Sequence, residues 1–393
     1  MAHLSRLFFI AVLASICGAG SPQAHAFGGG RSGGGGGGSV GPQFEAIGRA
    51  SVPLQGLDPV METFLKREGV SAAAIAVVSE GRLVYTKGYR YSSAGSAKVT
   101  PDSVFLWASL TKPITQTLTY REMELRGQSF APATRVMDVL GSNYSVVNDP
   151  RVNQITIADV LGHRGGWDRD RSGDTIFERF SSRDARVRSV LSRNLDFAPG
   201  TQTVYSNFGY QLLARLHEKI SGKTYFDWLQ ARLLGPLAMY RTSKAVQNKR
   251  DPDQVPLLQS PWSQELDQMD GNGDLRGPIV NYARYMASFE LKDRHPLFIT
   301  KGGYWEQSAI PFEHTGRLDG QGSWMIRMNG SNRQGSVIVF WNSRLPDGAY
   351  TQLRNEVLAQ LGSLNWLSQV PGTPKDLFSC YRIPSFYGER CSN

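Results

Sequence analysis

Apolar positions recur along the chain in two distinct rhythms. Leu57 to Glu68 sets Val60, Phe64 and Leu65 on one face, the spacing of an amphipathic helix. Ala72 to Val78 and Leu83 to Tyr91 read as strands, and the turn Ser79-Glu80-Gly81-Arg82 joins them into a hairpin. A helix carrying Ser109 and Lys112 is predicted to run through Tyr120 to Leu125 and stop at Gly127, with Pro113 tolerated in its first turns. From Ala131 to about Phe289 the pattern is mainly helical. It includes a strand-like or short helical entry at 155–161 and helices over 207–220, 225–234 and 277–289. Strand signals return at 304–312, 322–328 and 336–341, the last two separated by Asn329-Gly330-Ser331-Asn332, and a helix over 350–367 closes the chain.

That order predicts an α+β fold. An antiparallel sheet is flanked by N- and C-terminal helices, and a mainly helical domain is inserted between its early and late strands. Ser109 falls at the junction, where crevices form. The ends look different. Arg6, the apolar run Leu7 to Cys17 and Ala24-His25-Ala26 describe a signal peptide over residues 1–26, which implies export to a periplasmic or secreted location. The apolar run is too short to span a bilayer comfortably, so no integral membrane segment is expected after its removal. Ile16 before Cys17 argues against a lipoprotein signal. Residues 27–49 read as a Gly/Ser-rich flexible linker, residues 50–370 as the folded domain and residues 371–393 as a tail. In an oxidising compartment Cys380 and Cys391 would form a disulfide that pins this tail.

Composition narrows the function. The chain has 393 residues, 40% of them hydrophobic, enough for a packed core and too few for a polytopic membrane protein. Net charge is +9 and the sequence pI about 9.4, yet the arginines are scattered and no basic block carries interleaved aromatics, so nucleic acid is not an expected partner. The histidines are too dispersed for a zinc site, and no metal or other cofactor is implied. In Asp270-Gly271-Asn272-Gly273-Asp274 a calcium loop fails, because Leu275 stands where glycine is required and no glutamate closes it; a turn is expected instead. The G-x-S-x-G at 30–34 is a by-product of the glycine tract. Trp107, Trp167 and Trp324 read first as core residues.

The chemistry concentrates in Ser109-Leu110-Thr111-Lys112. Residues three apart share a helix face, so the hydroxyl and the ammonium can meet, and a serine becomes a nucleophile only when a base takes its proton. Two further motifs follow, Tyr205-Ser206-Asn207 and His314-Thr315-Gly316. In the order S-x-x-K, Y-S-N, H-T-G they resemble the three motifs of the penicillin-recognising serine hydrolases. The tyrosine resembles the class C β-lactamase branch, which also holds DD-peptidases, D-aminopeptidases and carboxylesterases. The likeness extends to Phe-Ala-Pro-Gly-Thr at 197–201, the run from Tyr205 to Met239, and Ile155 to Trp167, and covers roughly residues 50 to 368.

The resemblance implies an acyl-enzyme on Ser109. Tyr205 and Lys112 would handle the proton, Asn207 would orient Lys112 and the substrate, and His314, Thr315 and Gly316 would wall the cleft. The backbone N–H groups of Ser109 and Arg317 would form the oxyanion hole. The implied partner is a small-molecule or peptide-like substrate, cell-wall material included. Three departures stand out. His314 replaces the usual lysine, which weakens recognition of a β-lactam carboxylate and favours a carboxylesterase alternative; a non-catalytic cell-wall binder is the other alternative. His163-Arg164-Gly165-Gly166 replaces H-T-S-G, with His163 expected to hold a turn. Ala238 stands where glycine is usual.

Overall fold

A computed structural model of the protein describes residues 41–93, 96–144, 147–171, 178–246, 249–259, 266–290, 313–329, 334–363 and 374–381. Its centre is a six-stranded antiparallel sheet of strands β1 (Gln43–Ala50), β2 (Ala72–Ser79), β3 (Arg82–Ser92), β7 (Glu313–Leu318), β8 (Gln321–Asn329) and β9 (Gln334–Trp341), in the order β1-β3-β2-β9-β8-β7. The early hairpin and the late strands meet where β2 pairs with β9. β2 reads Ala-Ala-Ala-Ile-Ala-Val-Val-Ser and is buried throughout. Its alternating side chains feed two different cores, as the twofold period of a strand requires: Ala73, Ile75 and Val77 on one face, Ala74, Ala76 and Val78 on the other.

Helices α1 (Leu57–Glu68) and α9 (Asp347–Ser363) cover the first face, where Met61, Phe64 and Leu65 pack with Val339, Trp341, Leu353 and Val357. The second face carries α2 (Thr111–Arg126) and α8 (Ile279–Glu290). The helical insertion has its own core, built from α3 (Val136–Leu140), α4 (Ile157–Leu161), α5 (Arg183–Leu191) and α6 (Asn207–Ser221). Helix α7 (Tyr225–Leu229) runs into one π-helical turn over Gln230–Leu234. A small sheet of β4 (Val104–Leu106), β5 (Ser243–Lys244) and β6 (Leu275–Pro278) leads the chain to Ser109. The α+β architecture expected from the pattern is the one observed. Among the described residues no helix is long and apolar enough to cross a membrane.

Several boundaries differ from expectation. Residues 43–49, assigned to the linker, belong to β1 and pair with β3 from Gln43↔Ser92 to Ala50↔Tyr85. Its half-exposed alternation is that of an edge strand, which offers only a weak apolar signal. Within the stretch 155–161 the chain forms a helix from Ile157 to Leu161, because Thr156 and Asp159 form a reciprocal capping box. The helix expected from Gly277 starts at Ile279, since 275–278 are drawn into β6. Part of the expected tail docks on the body: Leu377, Phe378 and Tyr381 are buried, and the Leu377 N–H donates to the Leu83 carbonyl at 2.9 Å. Cys380 is disulfide-bonded; Cys391, its expected partner, lies outside the described residues, as do the signal peptide and the strand expected at 304–312.

Candidate active site

Ser109 lies in a single 3-10 turn, Ala108–Leu110, that feeds α2, one step before the helix that was expected to carry it. Ala108 makes the turn possible by adopting φ 51°, a left-handed conformation that costs an L-residue about 1–2 kcal/mol. Strain of this kind persists only where surrounding bonds hold it. Here the Trp107 N–H donates to the Leu275 carbonyl at 2.8 Å, the indole Nε1 to the Gly277 carbonyl at 3.1 Å, and Ser323 Oγ to the Trp107 carbonyl at 2.8 Å.

Lys112, one turn on, is 1% exposed. Its ammonium donates to Ser109 Oγ at 3.0 Å, to Asn207 Oδ1 at 2.6 Å and to the Asn272 carbonyl at 2.8 Å. Three donors meet three acceptors, which is what a buried ammonium needs. Tyr205 Oη lies 2.9 Å from Ser109 Oγ, and Lys112 Nζ is 4.8 Å from the centre of the tyrosine ring. Ser206 caps α6 by accepting from the Gly209 N–H, which sets Asn207 at the first helical position facing Lys112.

The third motif lies in β7, the edge strand. Gly316 is the point of closest approach: a Cβ there would sit 2.5 Å from the Trp107 carbonyl and 3.0 Å from Ser109 N. Only glycine lets the strand pack this tightly on the nucleophile turn. The β7–β8 hairpin closes on the pair Leu318↔Gln321. Counting back, Gly316 and His314 occupy ladder-bonded positions, while the N–H groups of Thr315 and Arg317 point out of the free edge. Thr315 is half-buried. His314 Nδ1 donates to the Thr315 carbonyl at 2.8 Å, which leaves Nε2 as an acceptor. Burial first, then the Lys112 charge, pushes the His314 pKa down to about 4, so the ring is neutral near pH 7. The Arg317 guanidinium is ion-paired with Asp347 at the start of α9 and is therefore spoken for.

Three contributors lie outside the three motifs. His163, expected to hold a turn, does so at φ 56°, and its Nδ1 accepts from the Ser206 N–H at 3.1 Å. Its ring stacks on Tyr205 at 4.7 Å, so it also buttresses the phenol. Burial, followed by the charge of Lys112, drops its pKa to about 3. Arg169 places its guanidinium 5.4 Å from the Tyr205 ring centre. The segment Asp270–Asp274, expected as a turn, lies under the site: Asn272 holds Lys112 through its carbonyl, and Asp270 is anchored by Arg183 and Arg215. Asp274 is fully buried beside Lys244, at 3.9 Å, and burial raises its pKa to about 6. Among the described residues no group of three or more His, Cys, Asp or Glu could hold a metal ion. Trp107, Trp167 and Trp324 are core residues.

A sheet with a helical insertion, and a serine held between a lysine and a tyrosine at their junction, define the serine β-lactamase and penicillin-binding-protein architecture. Residues 57–362 match the Beta-lactamase family, and the chain belongs to that family. It is similar to the unguisins hydrolase ungD' of Aspergillus campestris, 25% identical over 331 residues, 76% of this chain and 58% of that protein. Penicillin-binding protein 4 of Amycolatopsis lactamdurans is 31% identical over 179 residues, 44% of each chain. The matched part spans less than two thirds of either relative. Among solved structures, the beta-lactamase/D-alanine carboxypeptidase of Yersinia pestis superposes with TM-score 0.62 at 18% identity, covering 78% of this chain and 98% of that one. The octameric penicillin-binding protein homologue of Pyrococcus abyssi gives 0.60 at 17% identity, covering 80% and 78%. At such identities these two establish the shared fold.

Proposed function

We propose that this chain is an exported hydrolase that transfers acyl groups from an ester or amide to Ser109 and then to water. The observation that carries this reading is Ser109 Oγ held at 3.0 Å from Lys112 Nζ and 2.9 Å from Tyr205 Oη. Because the ammonium spends its three protons on three oxygens, Lys112 serves as the fixed cation and Tyr205, as phenolate, as the base. Ser109 Oγ adds to the carbonyl carbon while its proton passes to Tyr205. The oxyanion is met by the N–H groups of Ser109 and Arg317. Collapse breaks the bond to the leaving group, which takes the proton from Tyr205. Water then adds to the acyl-serine, giving a proton to Tyr205; the carboxylic acid departs and Ser109 regains its proton.

A neutral His314 favours esters over β-lactams, because an imidazole acceptor offers a substrate carboxylate no charge. Export rests on the charged, apolar and Ala-x-Ala segments of residues 1–26, and the bonded Cys380 suits an oxidising compartment. Reaction with a fluorophosphonate and with penicillin, followed by peptide mapping, tests the mechanism. A Ser109 adduct absent from Ser109→Ala is expected, and adduct formation that survives the substitution refutes it. Nitrocefin hydrolysed faster than p-nitrophenyl butyrate would overturn the ester preference. N-terminal sequencing of the exported protein tests cleavage after Ala26.

A further inference from the structure

The charges around Ser109 are unequally committed. Lys112 donates to three oxygens, Arg317 is paired with Asp347, and His314 is uncharged near pH 7. Arg169 differs from all three. Its guanidinium lies 5.4 Å from the ring centre of Tyr205, and Tyr205 Oη touches the nucleophile. The side chain is 38% exposed. Its polar contact among the described residues is a single one, 3.4 Å to the adjacent Asp170, which is 81% exposed. Such a pair is screened by water and gives way readily to a better anion. Arg169 therefore presents a partly solvent-exposed planar fork of donors beside Tyr205.

We propose that Arg169 reads an anionic group on the substrate, so that preferred acyl donors carry a carboxylate within a few bonds of the scissile carbonyl. This rests on the acyl-Ser109 reading above. An arginine suits the task because two parallel N–H donors match a carboxylate, and the rigid fork gives geometry as well as charge. The rival role is purely internal: Arg169 acting through Tyr205 alone, to favour its ionised form.

The two roles separate on substrate charge. Mono-p-nitrophenyl glutarate and adipate would be compared with p-nitrophenyl butyrate, using the full mature protein and its Arg169→Gln and Arg169→Lys variants, with spontaneous hydrolysis subtracted. The expected result is a kcat/KM at least tenfold higher for one of the anionic esters. Arg169→Gln should lower the ratio of kcat/KM for the anionic ester to that for butyrate by roughly 10- to 100-fold, with Arg169→Lys intermediate. Equal rates for charged and neutral esters in the native protein would overturn the proposal. So would an equal fall for both in Arg169→Gln with a shifted pH profile, which would assign Arg169 to Tyr205. Absence of acyl-Ser109 with every ester would overturn the hydrolase reading itself, and this inference with it.

Discussion

Gly316→Ala is the smallest change that should separate the third motif from the nucleophile. The added methyl would lie 2.3 Å from Ser323 Oγ, 2.5 Å from the Trp107 carbonyl oxygen and 3.0 Å from Ser109 N. Relief through Ser323 means rotating its hydroxyl away, which forfeits the 2.8 Å bond to the Trp107 carbonyl. Relief through Trp107 is blocked, because its backbone and indole N–H groups are both bonded and the next residue already sits at φ 51°. β7 must therefore retreat by about 1 Å to restore ordinary contact distances. Overpacking of this kind costs about 1–3 kcal/mol. A displacement near 1 Å of groups that position the reacting centre costs about 100-fold in rate. Second-order inactivation by a fluorophosphonate, followed by intact mass, gives the rate, and urea unfolding gives the stability. Gly348→Ala is the control, since a Cβ there meets nothing within 4 Å. If Gly316→Ala is acylated within threefold of the native rate and unfolds at the same midpoint, the close-approach argument fails.

Two further predictions concern stability alone. Ala238 sits at φ 54°, so Ala238→Gly removes left-handed strain of about 1–2 kcal/mol against about 0.4–1 kcal/mol of added chain entropy when unfolded. A net gain of about 0.5–1 kcal/mol is expected, and a lower Tm than native would contradict it. His217 is fully buried on α6 against Thr119, at 3.0 Å, and burial drops its pKa to about 3. The unfolded imidazole titrates near ~6.5, so the unfolded state binds the extra proton between these values; the contribution is whole above ~6.5 and fades as pH falls toward 3. His217→Gln should flatten unfolding free energy against pH by about 1.4 kcal/mol per pH unit over pH ~4.5–6, and parallel native and variant lines would refute it.

What was legible in the chain followed from side-chain pattern, and what was hidden depended on backbone. The apolar runs and alternation in 72–78, 83–91, 322–328 and 336–341 give four strands of the central sheet, and S-x-x-K with Y-S-N gives two corners of the candidate site. β1 escaped because an edge strand with one half-exposed face, next to a glycine tract, has little apolar contrast. Asn272 escaped because its carbonyl binds Lys112, and a carbonyl leaves no mark on residue identity. Ala108 carries its turn in φ alone. His163 was legible as a turn residue, but its stacking on Tyr205 joins residues 42 positions apart. The departure at Ala238 was visible as a letter, and its reason became visible only with its φ.

The charge balance of the site gives a reason for an amide, not a carboxylate, at Asn207. Lys112 is a buried cation whose three hydrogen bonds go to neutral oxygens, of Ser109, Asn207 and Asn272. A carboxylate in the place of Asn207 would satisfy the same ammonium proton and cancel its field. An amide oxygen satisfies the proton and leaves the field acting on what lies next to it, the Tyr205 ring at 4.8 Å. Of the acidic side chains in the segment beneath, Asp270 is paired with Arg183 and Arg215, and Asp274 lies 3.9 Å from Lys244. The two nearby imidazoles are held neutral by burial and by Lys112 itself, so they neither compete for the proton nor add a second charge at Ser109. The arrangement places the Lys112 ammonium beside a phenol and a hydroxyl, with the Arg169 guanidinium 5.4 Å from the same phenol ring. A nearby cation favours the ionised form of a phenol, which is the direction the proposed transfer of the Ser109 proton requires.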